Sequence, residues 1–390
     1  MIPIETAENI LNTISCHPEV EAIPLMESLG RILAQDIVSR ISMPPFDKSA
    51  MDGYAIRSDD PSPAFNVVEV IAAGSVPTQT IETGQCAKIM TGAMLPHGAD
   101  RVVKVEVTEE TDGVMTITGK DPHSNICYLG EDIKPGDLIL SKGHRIRPQE
   151  VGIIASMGLT QVTVYQKPRV GLVTTGSEIV EPGSELQTGQ IYNSNAYSIG
   201  AQVLQAGASI TYAGIVGDDP EMIRRTLDDL LSQNQMVLIS GGVSMGDYDF
   251  VPRILKELGV QLYFDKVAIQ PGKPTVFGTR GETFVFGMPG NPVSTFIVFE
   301  VFVKRLLCKL MGVDYTPMIL KGIMKKDFHR KRAERTAYIP VTYDNEGVVD
   351  TLEYHGSAHL NALSPANALL KVPTGVYHIS KGSTVYVRQV

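Results

Sequence analysis

The chain has 390 residues, 43% apolar and 20% charged, with a formal net charge of −9. Its length exceeds one typical domain, so more than one core is expected. The negative balance disfavours general nucleic-acid binding, and no apolar run is long enough to span a bilayer.

The first residues, MIPIETAENI, lack the basic and apolar regions of a secretory leader. Cys16, Cys86, Cys127 and Cys308 are far apart and form no CxxC pair. A cytoplasmic protein with reduced thiols is expected, without a zinc site or redox dithiol.

In chain order, Ile4, Ala7, Ile10, Leu11 and Ile14 have helical spacing, which predicts an amphipathic helix over 4–14. Residues 25–38 are mixed, with Gly30 as a break. Residues 43–55, MPPFDKSAMDGYA, enter extended through two prolines, and Asp52-Gly53 predicts a turn. Strands are expected at 67–72, 86–90, 102–107, 114–118 and 138–140, in a small β subdomain of about 44–136. Taken alone, Thr91-Gly92-Ala93 and Gly130-Glu131-Asp132-Ile133 are turns. A helix over 147–157 and a strand over 162–165 complete an N-terminal region, 1–166.

Residues 167–312 alternate β and α. Strands are expected at 170–174, 210–216, 237–240, 262–269, 275–278 and 283–287. Helices are expected at 195–205, after an Asp219 cap with Pro220 at N1, at 251–258, and from Asn291-Pro292 to about 310. This predicts a parallel, doubly wound α/β domain. No GxGxxG or Walker A sequence occurs. Strands at 319–324, 336–342, 348–352, 368–372 and 384–387 predict a small, barrel-like β domain over 313–390. The basic run 325–335 is expected to be a solvated hairpin.

Ligands of an open parallel sheet gather beyond the strand ends. Four loops lie there. They carry Thr175, Gly176, Ser177 and Glu178; Asp218; Gly241, Gly242, Ser244, Asp247 and Asp249; and Pro289, Gly290, Asn291 and Pro292. Lys266 and Lys273 are near the last loop in sequence. Hydroxyls and N–H groups suit phosphates, and carboxylates suit Mg²⁺. Together they point to a phosphorylated or pyrophosphorylated ligand. For 236–250 alone, a tight βα turn with Asp249 as a cap explains the pattern equally well. Asp219 is better explained as a cap than as a ligand.

The run 49–55, Thr91-Gly92-Ala93, Gly130–Ile133, Thr175–Glu178, 240–244, 271–274 and 289–294 occur together in one order. In this the chain resembles the molybdopterin molybdenumtransferase family (MoeA and gephyrin E-domain) over nearly its whole length. The C-terminal region matches more weakly, through Gly356-Ser357 and Ala366-Asn367. The resemblance implies an elongated homodimer with shared active sites, the 49–55 segment reaching the partner subunit. It implies Mg²⁺-dependent insertion of molybdate into adenylylated molybdopterin with release of AMP. It also implies a molybdopterin adenylyltransferase as upstream partner, and no nucleic-acid or membrane partner. Asp52, Thr91, Asp132, Glu178, Asp218, Asp249, Lys266 and Lys273 are the functional set it implies. The metal would be held by Glu178, Asp218 and Asp249. Some members carry lysine where this chain has Gln270, which weakens a two-lysine molybdate seat. The competing readings are an adenylyltransferase, which shares the α/β domain, and a non-enzymatic scaffold.

Overall fold

The structure, a computed structural model, describes residues 1–243, 250–352 and 356–390. Two compact units are present. One comprises residues 24–29 and 35–162, the other residues 1–23, 30–34 and 163–390.

In the first unit, Gly53–Ile56 runs between Arg101–Lys104 and Gln85–Ile89 in a six-stranded sheet. The sheet continues through Phe65–Ile71, Val114–Ile117 and Thr108–Thr111. Successive side chains alternate between two cores. Tyr54, Ile56, Cys86 and Val103 face one, and Ala55, Ala87, Ile89 and Val102 the other. Residues 53–56 are therefore a buried strand, not the tail of a turn. The Gly53 position requires glycine because Arg101–Lys104 comes so close. A Cβ there would lie 2.1 Å from the Val103 carbonyl oxygen. The strand expected over 102–107 ends at Lys104, and Val105–Val107 is a 3₁₀ turn whose first N–H donates to the Asp52 carbonyl at 2.9 Å.

In the second unit, a six-stranded sheet has the order Ser209–Val216, Arg169–Thr175, Met236–Ser240, Thr283–Met288, Val276–Arg280, Gln261–Phe264. The first four strands are mutually parallel, and the last two pairings are antiparallel. The sheet is thus mixed rather than wholly parallel. The cause is local: Gly281-Glu282 alone joins Val276–Arg280 to Thr283–Met288, and so short a loop permits only antiparallel pairing. Gly281 has a φ of 59° there.

Both faces of the sheet are buried, so its central strands are continuous apolar runs. Leu172, Leu238 and Phe286 pack toward Ile4–Thr13, Ser194–Gln205 and the helix starting at Pro292. Val173, Val237, Ile239 and Val285 pack toward Pro220–Gln233 and Val251–Glu257. The strand expected over 262–269 divides. Gln261–Phe264 stays in this sheet, while Ile269–Gln270 pairs with Thr336–Tyr343 in the next. Between the two pieces the chain turns aside, its Val267 N–H donating to the Lys273 carbonyl and its Ala268 N–H to that of Ile2.

Asp219 caps Pro220–Gln233 as expected, accepting the N–H groups of Glu221 and Met222 at 2.9 and 3.2 Å. The long helix begins at Pro292 but is not uniform. It is α over Pro292–Val298, π over Phe299–Val303 and α over Lys304–Leu310.

In the C-terminal region, Thr336–Tyr343, Val348–Thr351, Ile319–Met324, Thr384–Gln389 and Ala368–Val372 follow one another in a sheet. Ala368–Val372 also pairs with Thr336–Tyr343, which closes a five-stranded barrel. Val341, Val349, Leu370 and Val387 fill it. Among the described residues, no helix is long and apolar enough to cross a membrane.

Candidate functional site

A cleft of about 760 Å³ lies at the C-terminal ends of the parallel strands. Strand ends expose backbone groups there that the ladder no longer pairs, which is why ligands collect at this edge. Among the residues named from sequence, Thr175, Gly176, Glu178, Asp218, Gly241 and Gly242 line it, as do Pro289, Gly290, Asn291 and Pro292. All four loops therefore converge. Ser244, Asp247 and Asp249 lie outside the described residues.

The floor depends on two glycines. Gly241 and Gly242 have φ of 96° and 66°. A Cβ on Gly241 would lie 2.6 Å from the Thr175 carbonyl oxygen, and one on Gly242 2.8 Å from Thr175 Oγ1. Only glycine meets both the backbone and the steric demand. Thr175 Oγ1 is fully buried and has no hydrogen-bond partner among the described residues. A buried hydroxyl without a partner is costly.

The backbone donors are fewer than the sequence suggests. The Gly241 N–H is already committed to the Met288 carbonyl at 3.1 Å. Gly242, Gly290 and Asn291 keep N–H groups with no acceptor among the described residues. Asn291 occupies the N-cap position but does not cap. Its side chain donates instead to Ser357 Oγ at 2.8 Å, and the Ser357 carbonyl accepts the Val293 N–H at 3.1 Å. Residues 357–360 are thereby latched to the helix start, and Ala358 and Leu360 join the cleft wall.

Glu178 and Asp218 supply the acidity. The Glu178 carboxylate folds over Gly176, where a Cβ would meet Oε2 at 2.6 Å. Asp218 is fixed by a reciprocal pair: the Ser177 N–H donates to Asp218 Oδ2 at 3.2 Å, and the Asp218 N–H donates to Ser177 Oγ at 3.1 Å. Ser177 does not line the cleft but orients a residue that does. Among the described residues, no lysine or arginine lines it. Lys266 is half-buried and Lys273 exposed, both on the turn before Val276–Arg280, outside the cleft lining.

Asp52, Thr91 and Asp132 belong to the other unit. There, Asp52 and Thr91, named separately from sequence, form one element. Asp52 Oδ1 accepts the Thr91 N–H at 2.7 Å and its hydroxyl at 2.8 Å. The backbone bond, then the hydroxyl, holds the Asp52 carboxyl below the usual range. Asp132 is exposed, on a loop whose N–H groups at 132 and 133 donate to the Met43 carbonyl.

The chain matches the MoeA N-terminal region (domain I and II) over residues 2–158. It matches a probable molybdopterin binding domain over 171–309 and the MoeA C-terminal region (domain IV) over 321–390. It is 38% identical to a molybdopterin molybdenumtransferase of Staphylococcus epidermidis, over 99% of this chain and 95% of that one. The chain belongs to the molybdopterin molybdenumtransferase family. A relative of that name from Bacillus subtilis is 32% identical over 99% of this chain and 93% of its own length. The crystal structure of a molybdopterin biosynthesis MoeA protein from Pyrococcus horikoshii superposes with a TM-score of 0.86 at 32% identity, covering both chains in full.

Sequence reasoning within this molybdenumtransferase frame missed Asn193 and Asn195. Asn195 Nδ2 donates to Ser240 Oγ at 2.8 Å and to the Gly290 carbonyl at 2.7 Å, joining two loops of the cleft. Asn193 Oδ1 caps Ser194–Gln205, and its Nδ2 donates to the Tyr212 hydroxyl at 2.6 Å. The signal was available: Asn193-Ser194-Asn195 is a polar run at the entry of a helix whose next residues, Ala196, Ile199 and Val203, form an apolar face.

Proposed function

We propose that the chain transfers molybdenum to molybdopterin. It takes adenylylated molybdopterin and molybdate: molybdate exchanges oxygens, lost as water, for the two dithiolene sulfurs, the phosphoanhydride bond is hydrolysed, AMP leaves, and molybdenum cofactor is the product. Full-length membership of the molybdenumtransferase family supports this reading. The observation that carries it is a strand-end cleft that, among the described residues, has an acidic pair, free N–H groups and no lysine or arginine. An anionic ligand in such a cleft needs a cation to offset Glu178 and Asp218. The donors offered are oxygens, which fits a hard ion such as Mg²⁺. Glu178 and Asp218 would hold it, with Asp249 added by family resemblance. When bound, the ion withdraws charge from the pyrophosphate.

The chain's own groups do the rest. The N–H groups of Gly242, Gly290 and Asn291 receive phosphate oxygens. Thr175 Oγ1 gains the partner it lacks. Ser177 keeps Asp218 aimed at the cleft. Lys266 and Lys273 attract the molybdate dianion.

The test is single turnover with purified adenylylated molybdopterin and molybdate. AMP release is expected with Mg²⁺ and not in excess chelator. Full activity in chelator would remove the metal from the site. Adenylylated product from ATP and molybdopterin would instead make the chain an adenylyltransferase.

The working form is a cytoplasmic homodimer with shared sites, supplied with substrate by a molybdopterin adenylyltransferase. Its support is that Asp52 and Thr91 make an exposed, ordered pair in the unit that lacks the cleft. Mixing inactive Asp52→Ala and Asp218→Ala proteins after reversible dissociation checks it. Random assortment makes half the dimers mixed, so roughly a quarter of site activity should return. No recovery after verified subunit exchange would exclude sharing.

A further inference from the structure

The basic run 325–335 does not fold back on itself. Phe328–His329 pairs antiparallel with His378–Ile379, a segment distant in sequence. His329 stands opposite His378, and the Arg330 N–H donates to the Tyr377 carbonyl at 2.9 Å. That bond puts the two histidines at a non-hydrogen-bonded pair, where opposing side chains come closest. Their rings stack with centroids 4.2 Å apart and 15° between planes. Asp327 brings a carboxylate oxygen 3.8 Å from His378 Nε2. One ligand atom from each residue lies within 4.8 Å of the other two.

We propose that Asp327, His329 and His378 bind a divalent transition-metal ion, with Zn²⁺ the best match. Two imidazoles and one carboxylate are a nitrogen-rich set, which favours Zn²⁺ and its neighbours over Mg²⁺. Zinc bonds of about 2.0–2.1 Å in a tetrahedron put ligand atoms roughly 3.3 Å apart. The 3.8 Å separation is close to that. All three side chains are exposed and so can turn onto an ion; to do so the two rings leave their parallel stack, because imidazole lone pairs lie in the ring planes. Three protein ligands leave a fourth position for water.

The surroundings support the site in three ways. The Lys381 N–H donates to Asp327 Oδ1 at 2.6 Å, which orients the carboxylate. Lys325 and Lys326 both pair with Asp350, at 2.9 and 2.8 Å, so their charges are offset. Arg330 donates to the carbonyls of Val376, Arg335 and Pro373 at 2.6, 2.9 and 2.6 Å. Those bonds hold the strand pair without the histidines. None of the three ligands lines the cleft, so the site is separate from the transferase chemistry.

The test uses the full chain, freed of metal and kept in excess Mg²⁺ to mask oxygen sites. Zn²⁺ is titrated by calorimetry, Co²⁺ by visible absorption, and unfolding is followed with and without Zn²⁺. One ion per chain is expected, with cobalt ligand-field bands and no thiolate charge transfer. Zn²⁺ should raise the unfolding temperature, because it binds the native state. His329→Ala or His378→Ala should weaken binding by about tenfold or more, and Asp327→Asn by less. His329→Gln, a smaller change, should act in the same direction. The double histidine variant should fold normally and lose both binding and the thermal shift. Wild-type affinity in that variant, a thiolate signature, or no saturable binding at about a tenfold excess of Zn²⁺ would each overturn the site.

Discussion

Asp218→Asn should keep its fold and lose turnover on the order of 100- to 1000-fold. The amide is near-isosteric, and its oxygen can still accept the Ser177 N–H that now reaches Asp218 Oδ2 at 3.2 Å. What disappears is one of the two carboxylate charges that line the cleft among the described residues, where no lysine or arginine offsets them. The measurement is AMP release under single turnover across a Mg²⁺ series, with circular dichroism as the fold control. Asp219→Asn is the companion variant. Asp219 caps the following helix, and asparagine caps as well as aspartate, so its activity should stay near wild type. Near-normal AMP release by Asp218→Asn, or an equal loss in Asp219→Asn, would remove Asp218 from the chemistry.

Gly53→Ala should destabilise the unit containing residues 35–162 by about 3 kcal/mol, at the upper end of overpacking costs. The added methyl would sit 2.1 Å from the Val103 oxygen and 3.0 Å from the Lys104 Cα. Those are backbone atoms of a paired strand, so no side-chain rotation relieves the clash. Either Gly53–Ile56 moves off Arg101–Lys104, or both leave the sheet. Calorimetry should show the transition of this unit shifted down by roughly 6–12 °C. The other unit's transition should remain in place. An unchanged thermogram would mean the two strands are not as close as described. Asp52 precedes Gly53 directly, so its bonds to Thr91 should loosen as well.

The segments read correctly from sequence were those whose signal is local. Asp219-Pro220 marks a helix start by itself, and the run before Ser240 is apolar at every position because both sheet faces are covered. Errors came where a distant partner decides. Residues 53–56 resemble the end of a turn, and only pairing with 85–89 and 101–104 makes them a strand. Residues 262–269 read as one strand across Asp265-Lys266, yet its two ends belong to different sheets. Histidines 329 and 378 carry no mutual signal across the intervening chain. In the cleft, Gly241, Gly242, Glu178 and Asp218 were legible as cleft-lining positions because each sits on a loop that follows a strand end. Asn195 showed only as part of the polar run Asn193-Ser194-Asn195; its role, tying together two loops, is tertiary. Nor could sequence show that the Gly241 N–H is spent on Met288.

Barrel closure sets an order of events during synthesis. Thr384–Gln389 is the last barrel strand in sequence, yet it lies between Ile319–Met324 and Ala368–Val372. Until it leaves the ribosome, both neighbours present open backbone edges, and Val341 and Leu370 have no complete interior to enter. The sheet of the cleft has no such dependence, because all its strands precede residue 289. The nascent chain can therefore assemble most of its ligand-binding edge while the barrel is still unfinished. The latch from Ser357 to Asn291, which adds the last wall of the cleft, joins that early structure to the late one.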